Sequence, residues 1–324
     1  MPNDYIVSID MGGTKQLACV INSSEGIVAR VKQSTDSQST ERDYIKSIAK
    51  IIKDVIKSSG VGKENIKAVC LGIAASVNPY QGTIYLAPNL GLKNFNIKKL
   101  LENEINYPVL LENDVNLAAL GIKYYEVDES SKNLLAIFIG TGIGGGLVLN
   151  GKLYRGSNYV AGEIGHILVK KDGAVCGCGK RGCFETIASR TAITNKIIND
   201  VKNGKECTLT KMIDAGEIIK SKSLAKAVKD DDEVVTGHII DACSVIGCVL
   251  ASVTNLLNLD TIVIGGGLVE ALGYFMVPQI KESLEMHILD EALMGLQITE
   301  SKLGDDAAIY GGIKLVEEFL GESV

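Results

Sequence analysis

The chain has no long basic run. Lys98–Lys99 and Lys170–Lys171 stand as isolated pairs, and the net charge is −6. Nucleic-acid binders set clustered lysine and arginine against phosphate, so no nucleic-acid partner is expected, and the two lysine pairs read as solvated faces. The opening Met1-Pro2-Asn3-Asp4-Tyr5 has neither a basic start nor a long apolar core, so no secretory signal is expected. An uninterrupted apolar span is also missing. The longest apolar stretch, 238–259, carries Asp241, Thr254, Asn255 and Asn258. Those groups are costly in lipid, so it reads as a long buried helix and no membrane partner is expected. No proline- or serine-rich linker divides the chain.

A disulfide scaffold is not expected either. Of eight cysteines, three sit in one cluster, and Cys19, Cys70, Cys243 and Cys248 fall in apolar strand or helix patterns. Buried free thiols in a reducing cytosol account for these, so a cytoplasmic protein is expected; Cys207 carries no readable signal. With 324 residues, 46% hydrophobic and 22% charged, the composition is that of a globular protein, and the length favours two domains.

The pattern along the chain is that of an α/β protein. Strands are expected at 5–10, 16–22 and 27–32, with turns at Met11–Thr14 and Ser23–Gly26. Ile45, Ile48, Ile52, Val55 and Ile56 recur at helical spacing over 41–58. A strand at 66–73 follows, then one at 108–111, after which Asn113–Asp114 opens a helix to about residue 124. At 134–139 the opening pattern returns: strand, glycine turn at Gly140–Gly146, strand, Asn150–Gly151 turn, strand. Two such β-meander units suggest a duplicated, two-lobed fold. Later come a helix at 184–202, a looser helical region to about 230, the long helix at 234–258 and a strand at 261–264.

The densest chemistry lies between Glu163 and Glu185. His166 stands ten residues ahead of Cys176, Cys178 and Cys183. One histidine and three cysteines make a tetrahedral zinc set, and glycines at 177, 179 and 182 let the backbone wrap one ion. Four protein ligands leave no open coordination position, so the metal is expected to be structural. It would hold Glu163 and Glu185 in place, which suits a site that grips a hydroxyl-rich ligand. His166 can ligate through one ring nitrogen and meet a ligand through the other. His238 and His287 read as structural.

Two glycine turns are candidate phosphate sites. Gly140-Thr141-Gly142-Ile143-Gly144-Gly145 satisfies a dinucleotide fingerprint, but that fingerprint needs a helix next. Strand and hairpin follow instead. A plain hairpin turn and an anion-binding turn, in which several backbone N–H groups converge, remain open. Asp10-Met11-Gly12-Gly13-Thr14-Lys15 offers an acid for Mg2+ ahead of a second such turn. Two phosphate turns on two lobes can hold one nucleotide. Asn113–Asp114 reads equally as a helix cap and as a catalytic acid at the end of a buried strand.

Together these motifs resemble the ROK family of sugar kinases and sugar-sensing repressors, within the actin-like ATPase superfamily. Asp10–Lys15 and Gly140–Gly146 look like its phosphate motifs. Ala161-Gly162-Glu163-Ile164-Gly165-His166 looks like its signature, and Cys176–Glu185 like its zinc motif. Ile262–Gly267 is similar to its adenosine motif. The resemblance implies a two-lobed, ribonuclease H-like α/β fold with a zinc knuckle. One lobe would be 1–120, completed by a C-terminal helix at about 306–324; the other would be 121–305. It implies Asp114 as general base, and Asn89, Asn113, Asp114, Glu163, His166 and Glu185 around the sugar. His166, Cys176, Cys178 and Cys183 would hold Zn2+. ATP would meet Gly12, Gly13, Thr14, Lys15, Gly140, Thr141, Gly142, Gly144, Gly265 and Gly266, with Asp10 serving Mg2+. A homodimer is implied as well.

The resemblance further implies transfer from ATP to the 6-hydroxyl of a hexose, glucose first, with N-acetylmannosamine, N-acetylglucosamine and fructose as alternatives. The repressor reading would need an extra N-terminal helix-turn-helix, for which a first strand at about residue 5 leaves no room. Where family kinases read Gly-x-Pro-Gly-Pro-Val-Asp, this chain has Gly72-Ile73-Ala74-Ala75-Ser76-Val77-Asn78. Ala75 adds a methyl group and disfavours positive φ, which bears on the sugar's fit on that side.

Overall fold

Apolar runs at residues 5–11 and 15–22, buried on both faces, and an alternating third strand build a first meander in the computed structural model, which describes residues 4–36 and 39–324. Residues 1–3, on which the absence of a signal sequence was partly read, lie outside the described residues. Strands β1 (Tyr5–Met11), β2 (Lys15–Asn22) and β3 (Gly26–Ser34) run antiparallel in turn. Helix α1 (Glu41–Ser59) is capped by Thr40 and stopped by Gly60 at φ 71°, and it buries Ile45, Ile48, Ile52, Val55 and Ile56. That is the apolar face its spacing predicts.

Next come β4 (Ile66–Ile73), a small antiparallel sheet of β5 (Ser76–Asn78), β6 (Thr83–Ala87) and β7 (Leu92–Phe95), and helix α2 (Ile97–Ile105). The strands of the small sheet are too short to show a period, whereas α2 buries Ile97, Leu101 and Ile105 at helical spacing, a signal that sequence reading missed. Strand β8 (Val109–Asn113) then leads directly into α3 (Asp114–Tyr125). The first large sheet has the order β3-β2-β1-β4-β8, with β1, β4 and β8 parallel.

The pattern repeats in β9 (Leu134–Ile139), β10 (Ile143–Leu149) and β11 (Lys152–Leu153). Asn150 and Gly151 turn the β10–β11 hairpin at φ 54° and 75°, the left-handed pair an Asn-Gly hairpin uses. Helices α4 (Glu185–Ala188), α5 (Arg190–Lys202), α6 (Thr210–Asp214), α7 (Ser221–Lys229) and α8 (Glu233–Leu257) follow. Then come β12 (Thr261–Gly265), α9 (Val269–Glu285), α10 (Asp290–Leu293), β13 (Gln297–Glu300) and α11 (Ala307–Leu320). The second sheet has the order β11-β10-β9-β12-β13, with β9, β12 and β13 parallel. Both sheets thus set a three-strand meander beside two further parallel strands, the duplicated architecture the sequence predicts.

The single helix expected at 184–202 is two helices. Ser189 is extended (ψ 163°), and its hydroxyl accepts the Ala192 N–H to start α5. The Arg190 N–H leaves the helix ladder for the Gly140 carbonyl, 2.9 Å away, and this contact breaks the run. The looser region to residue 230 resolves into α6 and α7 with irregular chain around them.

The chain forms two units. One comprises Met1–Ser130, Gly146–Gly162 and Asp305–Val324; the other comprises Ser131–Gly145 and Glu163–Gly304. Among the described residues, α8 alone is long and apolar enough to cross a membrane, and half of its apolar window is buried inside the fold. His238, on α8, sets Nε2 2.9 Å from Asp200 Oδ2, and His287 sets Nδ1 2.6 Å from the Ser283 carbonyl.

Candidate active site

In the first unit, the parallel register places Asp10 beside Gly72 and Gly72 beside Glu112. The C-terminal ends of β1, β4 and β8 therefore share one edge, where open α/β sheets present their ligand sites. Asp10 ends one strand there, and Asp114 starts the helix that leaves another.

The cap falls to Asn113. Its Oδ1 accepts the Val115 and Asn116 N–H groups at 2.9 and 3.0 Å, and its amide nitrogen donates to the Ala75 carbonyl at 3.2 Å. Among the described residues, the second amide N–H of Asn113 is left to meet a ligand. The Asp114 carboxylate accepts the Val115 N–H at 3.0 Å, at a helix N-terminus that favours negative charge. Ala75 is buried, and it is not among the residues with positive φ. Its methyl therefore packs in the core, and its carbonyl anchors the cap.

Burial, and next the Asp114 charge, push the Asp10 carboxyl up to about 7, against the pull of Lys15. Two opposed carboxylates suit a divalent cation. In the adjoining turn, the Gly12 N–H donates to the Lys15 carbonyl, and Thr35 Oγ donates to the Gly12 carbonyl at 2.9 Å. A Cβ on Gly13 would lie 3.1 Å from Asn89 Cβ, close enough that a side chain at residue 13 would push Asn89 back by a few tenths of an ångström. The Lys15 ammonium, read from sequence as facing ATP, donates to Asp305 at 2.7 Å.

In the second unit, His166, Cys176, Cys178 and Cys183 place their ligand atoms within 4.8 Å of one another. Tetrahedral zinc with bonds of about 2.3 Å to sulfur and about 2.0 Å to nitrogen spaces two sulfurs by about 3.8 Å and sulfur from nitrogen by about 3.5 Å. The Cys178 and Cys183 sulfurs are 3.7 Å apart, and Cys176 Sγ is 3.6 Å from His166 Nδ1. The donor set fits zinc. Nδ1 is the nitrogen turned to the sulfurs, while Nε2 lies 3.8 Å from Glu163. The Lys180 N–H draws the Cys178 thiol below its ordinary value, and burial pushes Cys176 and Cys183 up. Burial also raises Glu163, against the pull of His166.

Glu185 reaches both motifs of this unit. Oε1 accepts from the Cys176 thiol at 2.9 Å, and Oε2 accepts the Ile143 N–H at 3.4 Å. The glycine turn is further braced by Arg190, which donates to Thr141 Oγ at 2.7 Å, and by Thr191, which donates to the Thr141 carbonyl at 2.7 Å. After the turn comes β10, not a helix, so a dinucleotide fingerprint is excluded. Gly266, at φ 93°, would drive a Cβ to 2.6 Å from the Ile139 nitrogen. The Gly265–Gly267 turn thereby presses against the residue preceding Gly140.

Beside these two turns opens a pocket of about 890 Å³, lined among others by Arg190, Lys220, Lys222, Lys226, Gly267 and Glu270. Sequence reading missed Arg190 and these lysines. The lysine spacing along α7 was the available signal, and it resembles any solvated helix face.

Three comparisons bear on this geometry. The profile of the ROK family matches residues 6–319. A glucokinase from Halalkalibacterium halodurans is 33% identical, over 98% of this chain and 96% of its own. An N-acetylmannosamine kinase from Haemophilus influenzae is 28% identical, over 97% and 96%. The crystal structure of a ROK family glucokinase from Streptomyces griseus, in complex with glucose and AMPPNP, superposes with a TM-score of 0.84. It is 27% identical, over 97% of this chain and 99% of that one. The chain belongs to the ROK family.

Proposed function

We propose that the chain is an ATP-dependent hexokinase that converts glucose to glucose 6-phosphate. The observation that carries this is Asp114: a carboxylate at a helix start, on the strand-end edge that also bears Asp10 and a glycine turn. Full-length similarity to a glucokinase supports it.

In this reading, Asp114 takes the proton of the sugar 6-hydroxyl. The hydroxyl oxygen bonds to the γ-phosphorus as the bond to the ADP oxygen breaks. Catalysis is then mostly positioning and charge stabilisation. By the family resemblance, Asn89, Asn113, Glu163, His166 Nε2 and Glu185 are the side chains that hydrogen-bond the sugar. The turns at Gly12–Thr14 and Gly140–Gly144 serve the phosphates. The Gly265–Gly266 turn and the pocket lined by Arg190 and Lys220 serve the nucleoside end. Mg2+ when bound offsets charge on the transferring phosphoryl group, and Asp10 would hold it. Zn2+ on His166, Cys176, Cys178 and Cys183 would be structural. A homodimer in the cytoplasm, with no nucleic-acid partner, belongs to the same proposal: the dimer rests on the family resemblance, the cytoplasm on the free buried thiols and the last on the acidic charge.

ADP release measured across hexoses and N-acetylhexosamines tests the reading. Glucose is expected to give the highest kcat/KM. An N-acetylhexosamine in the lead, as the resemblance to an N-acetylmannosamine kinase allows, would move the substrate within the same mechanism. No ADP release with any sugar would overturn it and turn attention to the repressor reading, which a DNA mobility shift would test.

A further inference from the structure

Arg155 follows β11 and is 7% exposed. Its Nε donates to Glu112 Oε2 at 2.6 Å, and its two terminal nitrogens donate to the two Glu318 oxygens at 2.6 and 2.9 Å. The guanidinium also lies over the Phe319 ring, 5.5 Å from its centre. Glu112 is 1% exposed and sits on β8 two residues before Asp114. Its other oxygen, Oε1, accepts the Asn113 N–H at 2.9 Å and the Asn116 side-chain amide at 3.1 Å. One carboxylate therefore ties the strand end to the first turn of the helix, on both sides of Asp114.

A carboxylate this deeply buried is stable only while its partner stays, and removing one member of such a pair leaves an uncompensated charge. An apolar pair of similar volume could hold the fold as well, but it could not hold the Asn113 and Asn116 donors. We infer that Arg155 is a positioning residue for Asp114: through Glu112 it fixes the strand-to-helix turn that aims the base. The inference rests on the kinase reading of Asp114, and its test separates the two.

The test uses the full-length protein as Arg155→Lys, Arg155→Met and the double variant Arg155→Met/Glu112→Met. Both single variants are expected to lower kcat by at least about tenfold, since small misplacements of reacting groups are this costly, while KM for ATP changes little. The double variant is expected to recover the melting temperature but not kcat. Recovery of both together would show a merely structural role and overturn the inference.

Amide hydrogen exchange at Val115 and Asn116 gives a readout free of activity. It is expected to speed up in Arg155→Lys and in the double variant; unchanged exchange in both would also overturn the inference. If Arg155→Met does not fold, these two variants still decide. If the unmodified protein phosphorylates no sugar, the kinase reading falls, and the exchange data alone judge the role of Arg155 at the β8–α3 turn.

Discussion

One oxygen of the Glu185 carboxylate accepts from the Cys176 thiol at 2.9 Å, while the other accepts the Ile143 N–H of the glycine turn. Zinc would replace the Cys176 proton and leave a thiolate that cannot donate, so with metal bound Glu185 is held by its place in the chain two residues after Cys183, from which it still reaches the Gly140–Gly146 turn. Removing the metal should disturb both the cluster and the turn. The protein is expected to carry one zinc per chain by elemental analysis. A strong chelator, or Cys178→Ser, should lower the melting temperature and weaken glucose binding together. A loss of about 2 kcal/mol corresponds to roughly 4 to 8 °C in a unit of this size. Unchanged melting and sugar affinity after metal removal would contradict the link.

Asp114→Asn should reduce kcat by about 10²- to 10⁴-fold, the usual range for a positioned general base, with glucose affinity by calorimetry nearly unchanged. The substitution keeps the size of the side chain, and Asn113 still caps α3. Near-normal turnover would remove Asp114 from its role.

Asp10 gives a pH dependence with a definite sign. Its carboxyl is raised to about 7 by burial, so between roughly pH 4 and 7 the folded chain holds a proton that the unfolded chain has released. Stability of the metal-free, nucleotide-free protein should therefore fall as pH rises through that window and level off above it. Each tenfold difference in proton affinity is worth about 1.4 kcal/mol, which makes the total a few kcal/mol. Asp10→Asn should flatten this slope and raise the melting temperature at pH 8, while impairing Mg2+-dependent turnover. Identical melting profiles across the range would show that Asp10 is not strained.

Gly266→Ala should weaken ATP binding and lower stability together. The position combines a φ of 93° with a Cβ path blocked by the Ile139 backbone, which cannot yield as a flexible side chain could. A cost of about 1 to 3 kcal/mol is expected for such strain. Gly267→Ala, where a Cβ would meet open space, serves as the control and should melt near the unmodified protein. Equal behaviour of the two variants would refute the packing argument.

The fold was legible where hydrophobic period and turn chemistry agreed. β4 and β9 fall where the apolar runs at 66–73 and 134–139 place them, and α1 and α8 follow from long apolar faces, with the caps at Thr40 and Asp232 seen only in the structure. The small sheet at Ser76–Phe95 was not legible, because its strands of three to five residues are too short to show a period. Nor was the break at Ser189, which depends on a distant carbonyl at Gly140. The metal cluster could be read because one histidine and three cysteines at knuckle spacing are rare by chance. Arg190 and Arg155 could not be read, since each gains its meaning from partners, Thr141 and Glu112, about 40 or more residues away. The neighbour-dependent burial of Asp10 was equally hidden.

Product identification by phosphorus NMR, after incubation with ATP, Mg2+ and glucose, tests the central claim most directly. The account predicts glucose 6-phosphate and ADP in equal amounts from the unmodified protein, and neither above background from Asp114→Asn. ADP formed with free phosphate and no sugar phosphate, or equal product from both proteins, would contradict it.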